Sequence, residues 1–220
     1  PTQVGGELSV YTKFCTPSLA VLATSLLTVN RPDILVPENG FISINPPLLP
    51  GRMASLSTRT THPQFIALLQ QLLDAIGVDT QLSMPYRFKT KGEMLVQCAD
   101  QSLLTSYACD TTSCGRFRTY NRTHCGRCVP CMVRKAAIHR WGLSDTTRYK
   151  FSALSGAGKT SADDPMAVAC AVLAAEQRGI DFFLGATLAF ASDADRPHYR
   201  RVAEQGLAEL AALLRRDGVL

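Results

Sequence analysis

The chain has 220 residues, is 46% hydrophobic, 19% charged and 7% aromatic, and carries a formal charge of +5. That length supports one domain with a sizeable core, and the hydrophobic share excludes wholesale disorder. The 8 cysteines are too sparse for a disulfide scaffold, and no basic region followed by an apolar stretch opens the chain as a secretory signal would. A cytoplasmic location is the expectation.

Residues 14–30 form the longest uncharged run. The run contains Pro17, Asn30 and several Ser and Thr, so it predicts a buried helix over residues 17–29 rather than a membrane span. The short apolar run Asp33-Ile34-Leu35-Val36-Pro37 predicts a buried strand feeding a loop. An irregular, Pro-rich stretch follows and ends in Ser57-Thr58-Arg59-Thr60-Thr61-His62. Gln64 to Gly77 has helical apolar spacing with glycine as the stop. A short strand fits within Val78 to Tyr86. Thr90-Lys91-Gly92-Glu93 has the form of a capping box that opens a helix through Met94, Leu95 and Val96. Strand, helix, strand, helix in this order predicts an α/β domain with a parallel sheet.

The composition changes beyond Cys109. Residues 115–150 hold Arg116, Arg118, Arg122, Arg127, Arg134, Lys135, Arg140, Arg148 and Lys150 against the single acid Asp145, so this segment is strongly basic and the remainder slightly acidic. Residues 153–161 read as a linker. Asp164-Pro165 starts an alanine-rich helix to about Arg178, and a last helix over 197–216 aligns Leu207, Leu210, Leu213 and Leu214. The expected organisation is an α/β part over 1–108, a cysteine segment over 109–150 and a helical extension over 151–220.

Cys125-Gly126-Arg127-Cys128-Val129-Pro130-Cys131 is the most specific local signal. Three thiols at this spacing, with glycine and proline supplying turns, can converge on one tetrahedral zinc. For the fourth ligand Cys114 ranks first, Cys109 second and His124 third. A closed four-cysteine site would be structural. Cys15, Cys98 and Cys170 lie on apolar patterns and are expected as plain core thiols.

This cluster, preceded by Ser113-Cys114 and by the Thr90–Glu93 helix start and followed by Arg134, resembles the C-terminal half of the 7-cyano-7-deazaguanine synthase (QueC) family. Pro37-Glu38-Asn39-Gly40, Asn45-Pro46-Pro47-Leu48 and residues 57–63 resemble the loops of the QatC type found in antiphage defence systems. The resemblance covers roughly residues 30–142. It implies a Rossmann-like parallel sheet of the adenine-nucleotide α-hydrolase type. The implied activity is ATP-dependent, with Mg2+: adenylation of a 7-deazaguanine carboxylate, then attack by ammonia or by an amine of a partner protein from the same defence operon. A homodimer is also compatible with it. The family's Ser-Gly-Gly-x-Asp-Ser pyrophosphate loop is not found in this sequence. Ser155-Gly156-Ala157-Gly158-Lys159-Thr160 has a P-loop-like ending at the wrong place and reads as linker. The expectation is the C-terminal part of a longer protein.

Within that frame Glu38 and Asn39, at a strand end, are candidates for substrate binding or for an ordinary turn. Arg52 and Arg59 suit a phosphate or carboxylate. Thr58, Thr60, Thr61 and His62 could hydrogen-bond a purine-like base, although His62 before a proline could instead cap the next helix. Lys91 and Arg134 are candidates for nucleotide phosphate, with a solvated first-turn lysine as the plainer role for Lys91. The basic segment could also bind nucleic acid. With only Phe117 and Tyr120 for stacking, that signal is weak. A catalytically inactive zinc-containing module for nucleic acid or a partner protein is the alternative to the enzyme.

Overall fold

The computed structural model describes residues 19–24, 26, 31–49, 61–155 and 164–220. Arg52, Thr58, Arg59, Thr60 and Cys15, together with most of the expected linker, lie outside the described residues.

The elements, in chain order, begin with the helical residues 19–24 (α1), β1 (Asp33–Leu35), α2 (Gly40–Ser43), α3 (Pro63–Ala75) and β2 (Gln81–Ser83). They continue with α4 (Lys91–Val96), α5 (Gln101–Tyr107), a 3-10 turn at Ala108–Asp110, and α6 (Val129–Trp141). The chain ends with α7 (Asp164–Arg178), α8 (Ile180–Leu184), a 3-10 turn at Gly185–Leu188, and α9 (Arg196–Arg216).

β1 and β2 pair in parallel, with Asp33 opposite Gln81, Ile34 opposite Leu82 and Leu35 opposite Ser83. The crossover between them carries α3, as a parallel pair requires. Ile66, Leu73 and Leu82 form a small core between helix and sheet. The expected alternation of strand and helix is therefore present up to α4. Beyond it the described chain is helical, so the architecture is a mixed helical body with a small two-stranded parallel sheet. The apolar spacing from residue 129 onward has the helical period, and those stripes pack on one another instead of on a wider sheet.

The main core joins Phe41, Ile44 and Leu48 to Val129, Met132 and Val133 of α6, Val168 and Val172 of α7, and Val202, Leu210, Leu213 and Leu214 of α9. The expected leucine stripe of α9 is fully buried. Each such side chain contributes about 1.5–3 kcal/mol by leaving water. α6 is buried on nearly all sides, from Val129 to Ile138. It begins at Val129 with Pro130 in its first turn, and Gly142, at φ 84, ends it with a left-handed cap. Gly206 lets α9 approach α2 closely: a Cβ there would fall 2.3 Å from the Phe41 ring.

Two cysteines depart from expectation. Cys170 is exposed and Cys98 is half-buried rather than core. The buried face of α7 is set by Val168, Ala169, Ala171 and Val172, which leaves Cys170 on the outer side. Cys98 lies beyond the C-terminal cap of α4, where its thiol donates to the Asp100 carbonyl.

Candidate metal centre and its surroundings

Cys114, Cys125, Cys128 and Cys131 are all buried, and their sulfur atoms lie within 4.8 Å of one another. The Cys125–Cys131 and Cys114–Cys128 sulfur pairs are each 3.9 Å apart. Four thiolates about 2.3 Å from a tetrahedral zinc sit roughly 3.8 Å from each other. The donor set and its spacing therefore fit a zinc-type ion with a closed coordination sphere.

Local sequence builds this geometry. Gly126 has φ +86, and a Cβ there would meet the Phe151 carbonyl oxygen at 2.2 Å. Only glycine fits both constraints. The resulting turn aims the Cys128 N–H at the Cys125 sulfur, 3.2 Å away. The Cys114 sulfur accepts N–H bonds from Cys125 and Arg116 at 3.2 and 3.3 Å. Cys128 precedes the first turn of α6 and Cys131 lies within it, where the helix dipole favours negative charge. Hydrogen bonds from Cys128 and Cys131 hold the Cys125 thiol below its ordinary value. In return Cys125 pushes the Cys128 and Cys131 thiols up. Four mutually close thiols cannot all ionise without a cation among them.

The other two candidates for fourth ligand are occupied elsewhere. Burial would raise the Cys109 thiol, but hydrogen bonds from Thr146 and Thr147 bring it below its ordinary value, outside the cluster. The His124 Nε2 accepts the Ser113 N–H at 3.2 Å. Burial, and then Arg134, push its imidazole below the ordinary value. His124 thus orients the Ser113-Cys114 segment and does not face the sulfurs.

Arg134 holds the same segment from the other side. Its guanidinium donates to the Ala108 carbonyl at 2.6 Å, to Thr111 at 2.7 Å, to Ser113 at 3.4 Å, and to Thr147 at 3.0 and 3.2 Å. These five bonds match the five N–H donors of arginine. Lys91, partly exposed, shares with Arg134 a cavity of about 140 Å3 that also touches Met94, Leu104, Ala108 and Ile138. Burial lowers the Lys91 amine, against the raising effect of Glu38.

The structure separates the remaining candidates. The Glu38 carboxylate accepts the Asn39 backbone and side-chain N–H groups at 3.1 and 2.8 Å. The Asn39 side-chain oxygen caps α2 by accepting the Ile42 N–H at 3.1 Å. His62 caps α3, its Nδ1 accepting the Gln64 N–H at 3.3 Å, and its ring lies 4.5 Å from that of Phe190. It lines a cavity of about 510 Å3 with Ile44, Asn45, Gln64, Phe182 and Phe190. Within the basic segment, Arg116 pairs with Asp164 at 3.6 Å and Arg127 is buried, donating to the Ala153 carbonyl at 3.2 Å. Arg118 and Arg122 remain exposed.

The expected capping box is present, with Thr90 and Glu93 each bonding the other's backbone N–H. Sequence reasoning missed what surrounds it. Glu93 also binds Arg201 at 2.6 Å, while Glu209 accepts from Arg140 at 2.6 Å and from Thr90. Burial would raise Glu93, but Arg201, the Thr90 amide and Arg140 outweigh it and hold the carboxyl below its ordinary value. For Glu209 burial prevails and the carboxyl is raised. The available signal was Glu209 itself, a charge set inside the leucine stripe of α9. A built Cβ on Gly92 would fall 2.7 Å from Glu209, so this glycine is what admits the network.

Neither a protein-family model nor a solved structure matches the chain. Over 92 residues it is 32% identical to the 7-cyano-7-deazaguanine synthase of Paracoccus denitrificans (strain Pd 1222), covering 40% of this chain and 37% of that protein. The chain thus spans little more than a third of the length of the curated relative it matches. The similarity supports a relationship to the 7-cyano-7-deazaguanine synthases. Among the described residues, no helix is long and apolar enough to cross a membrane.

Proposed function

We propose that the chain is part of an ATP-dependent enzyme of the 7-cyano-7-deazaguanine synthase kind, with a structural zinc held by Cys114, Cys125, Cys128 and Cys131. The observation that carries the proposal is the joining of the four-thiol cluster to α6, which packs on α4. The cluster fixes the start of α6. α6 presents Arg134 toward Lys91, and the two line one cavity. In this proposal Lys91 meets nucleotide phosphate, with Mg2+ and ATP, and Arg134 supports it from behind as an internally bonded guanidinium. The zinc, when bound, supplies a rigid cross-link. Its closed four-sulfur sphere leaves no position for substrate.

The substrate class is a 7-deazaguanine carboxylate, activated by adenylation and attacked by ammonia or by an amine of a partner protein. The cavity beside His62 suits the flat base: Phe182 and Phe190 offer faces, and Asn45 and Gln64 offer hydrogen-bonding edges. Glu38, Arg52, Thr58, Arg59 and Thr60 complete the proposed substrate set, and Asn39 shapes it through the α2 cap. A Rossmann-like fold, the three-part division at residues 108 and 150, a cytoplasmic setting and an antiphage role belong to the same proposal.

The test is pyrophosphate release by the full-length protein with ATP, 7-carboxy-7-deazaguanine and candidate amines. Release that depends on the carboxylate and falls at least tenfold in Lys91→Met supports the proposal. No release with any amine, from folded zinc-loaded protein, refutes it and leaves a zinc-containing binding module for nucleic acid or a partner protein.

A further inference from the structure

Four thiolates carry four negative charges and a divalent cation offsets two of them, so the loaded centre carries a double negative charge. Such a charge in a buried site requires compensation. The N–H bonds from Cys125, Arg116 and Cys128 supply dipoles but no net charge.

Lys135 lies one helical turn after Cys131 on α6, and a helical side chain covers the turn before its own Cα. It is only 5% exposed. Its ammonium donates to the Ser152 carbonyl at 3.0 Å and sits 4.4 Å over the Tyr149 ring. Tyr149 in turn packs on the metal turn, where its Cβ lies 3.2 Å from the position a Gly126 Cβ would take. The stretch from His124 to Phe151 is closed by backbone bonds from Lys150 to the His124 carbonyl and from Phe151 to the Cys125 carbonyl. Asp145, Asp217 and Arg216 act on the amine from a distance, and among the described residues no carboxylate pairs with it within 4.0 Å. A buried lysine without an acid partner is costly unless a negative charge stands nearby.

We propose that Lys135 is the counter-ion of the four-cysteine metal centre, its buried ammonium balancing the negative charge that the centre carries once loaded. The inference rests on the metal assignment above. In the loaded protein the lysine raises metal affinity and stabilises the fold. In the stripped protein it is a buried, poorly compensated cation.

The test compares wild type, Lys135→Met and Lys135→Arg by zinc competition with a chromophoric chelator and by thermal unfolding of loaded and stripped full chains. Lys135→Met keeps the stem and removes the charge. Its zinc affinity falls about 10- to 100-fold, the usual range for groups just outside a metal's ligands. The stripped variant unfolds no earlier than stripped wild type, whereas the loaded variant unfolds earlier. Lys135→Arg restores most of the affinity. Unchanged affinity in Lys135→Met, or an equal loss of stability in both states, overturns the counter-ion role while leaving the metal centre standing. Wild type that binds no zinc overturns both. Should Lys135→Met fail to fold, Lys135→Gln carries the same comparison.

Discussion

Replacing Cys114 by serine, beside the same change at Cys109, tests the metal centre most directly. The Cys114 sulfur is the one ligand outside the Cys125–Cys131 turn, and it accepts two backbone N–H bonds, from Cys125 and Arg116. Serine keeps a polar atom there but holds zinc poorly and is too short to keep both bonds well. Weakening two bonds costs about 1–3 kcal/mol even without metal. The metal-linked part is larger. Free zinc at a thousandfold over its dissociation constant stabilises the wild-type fold by about 4 kcal/mol. At about 2–4 °C per kcal/mol for a chain of this size, chelation lowers the wild-type midpoint by roughly 8–16 °C. Cys114→Ser loses most of that zinc-dependent increment, and Cys109→Ser keeps it, because Cys109 is held by Thr146 and Thr147 away from the cluster. The assays are metal analysis of protein purified without chelator and scanning calorimetry with and without zinc. A zinc content well below one per chain in the wild type, or a zinc increment that survives in Cys114→Ser and vanishes in Cys109→Ser, refutes the geometry.

Gly206→Ala places a methyl 2.3 Å from the Phe41 ring in a fully buried contact. Overpacking of this kind costs about 1–3 kcal/mol, and chemical denaturation should show it in the midpoint with an unchanged slope. The Glu93 carboxyl lies below its ordinary value of 4.5, so its charge favours the fold above that pH, and the benefit is lost as pH falls through the lowered value. Glu93→Gln is therefore less stable than wild type at pH 7, with the difference narrowing below pH 4.5. A difference that stays constant from pH 7 to acid contradicts the Arg201 pairing as its source.

Local signals settled local structure. The Thr90–Glu93 box, the glycine stop after α3 and the leucine stripe of α9 are rules about neighbours within a turn or two, and each element formed where those rules place it. The glycine-containing turn of Cys125 to Cys131 likewise marked a candidate metal site, because three of its four thiols lie within seven residues. The alternation of strand and helix was legible as far as α4. The helical body that follows depends on which apolar stripes meet, and sequence order does not fix this.

The sequence by itself thus grouped Cys125, Cys128 and Cys131 as candidate ligands and ranked Cys114 first for the fourth position. Only the tertiary structure decided the fourth, because Cys109, Cys114 and His124 are all near enough along the chain. Arg134 and His124 draw the Ser113-Cys114 segment inward, while Thr146 and Thr147 hold Cys109 away. Tertiary structure also made Arg134 an internal clamp, whereas Asn39 and His62 cap the helices that follow them, the plainer role already open for His62 in the sequence. The fold brought Glu93 and Glu209 together with Arg140 and Arg201 across more than a hundred residues of chain. For Arg134, Glu93 and Glu209 the physical reason is shared: a polar side chain's role depends on which donors and acceptors reach it after burial, and here those partners come from distant parts of the chain.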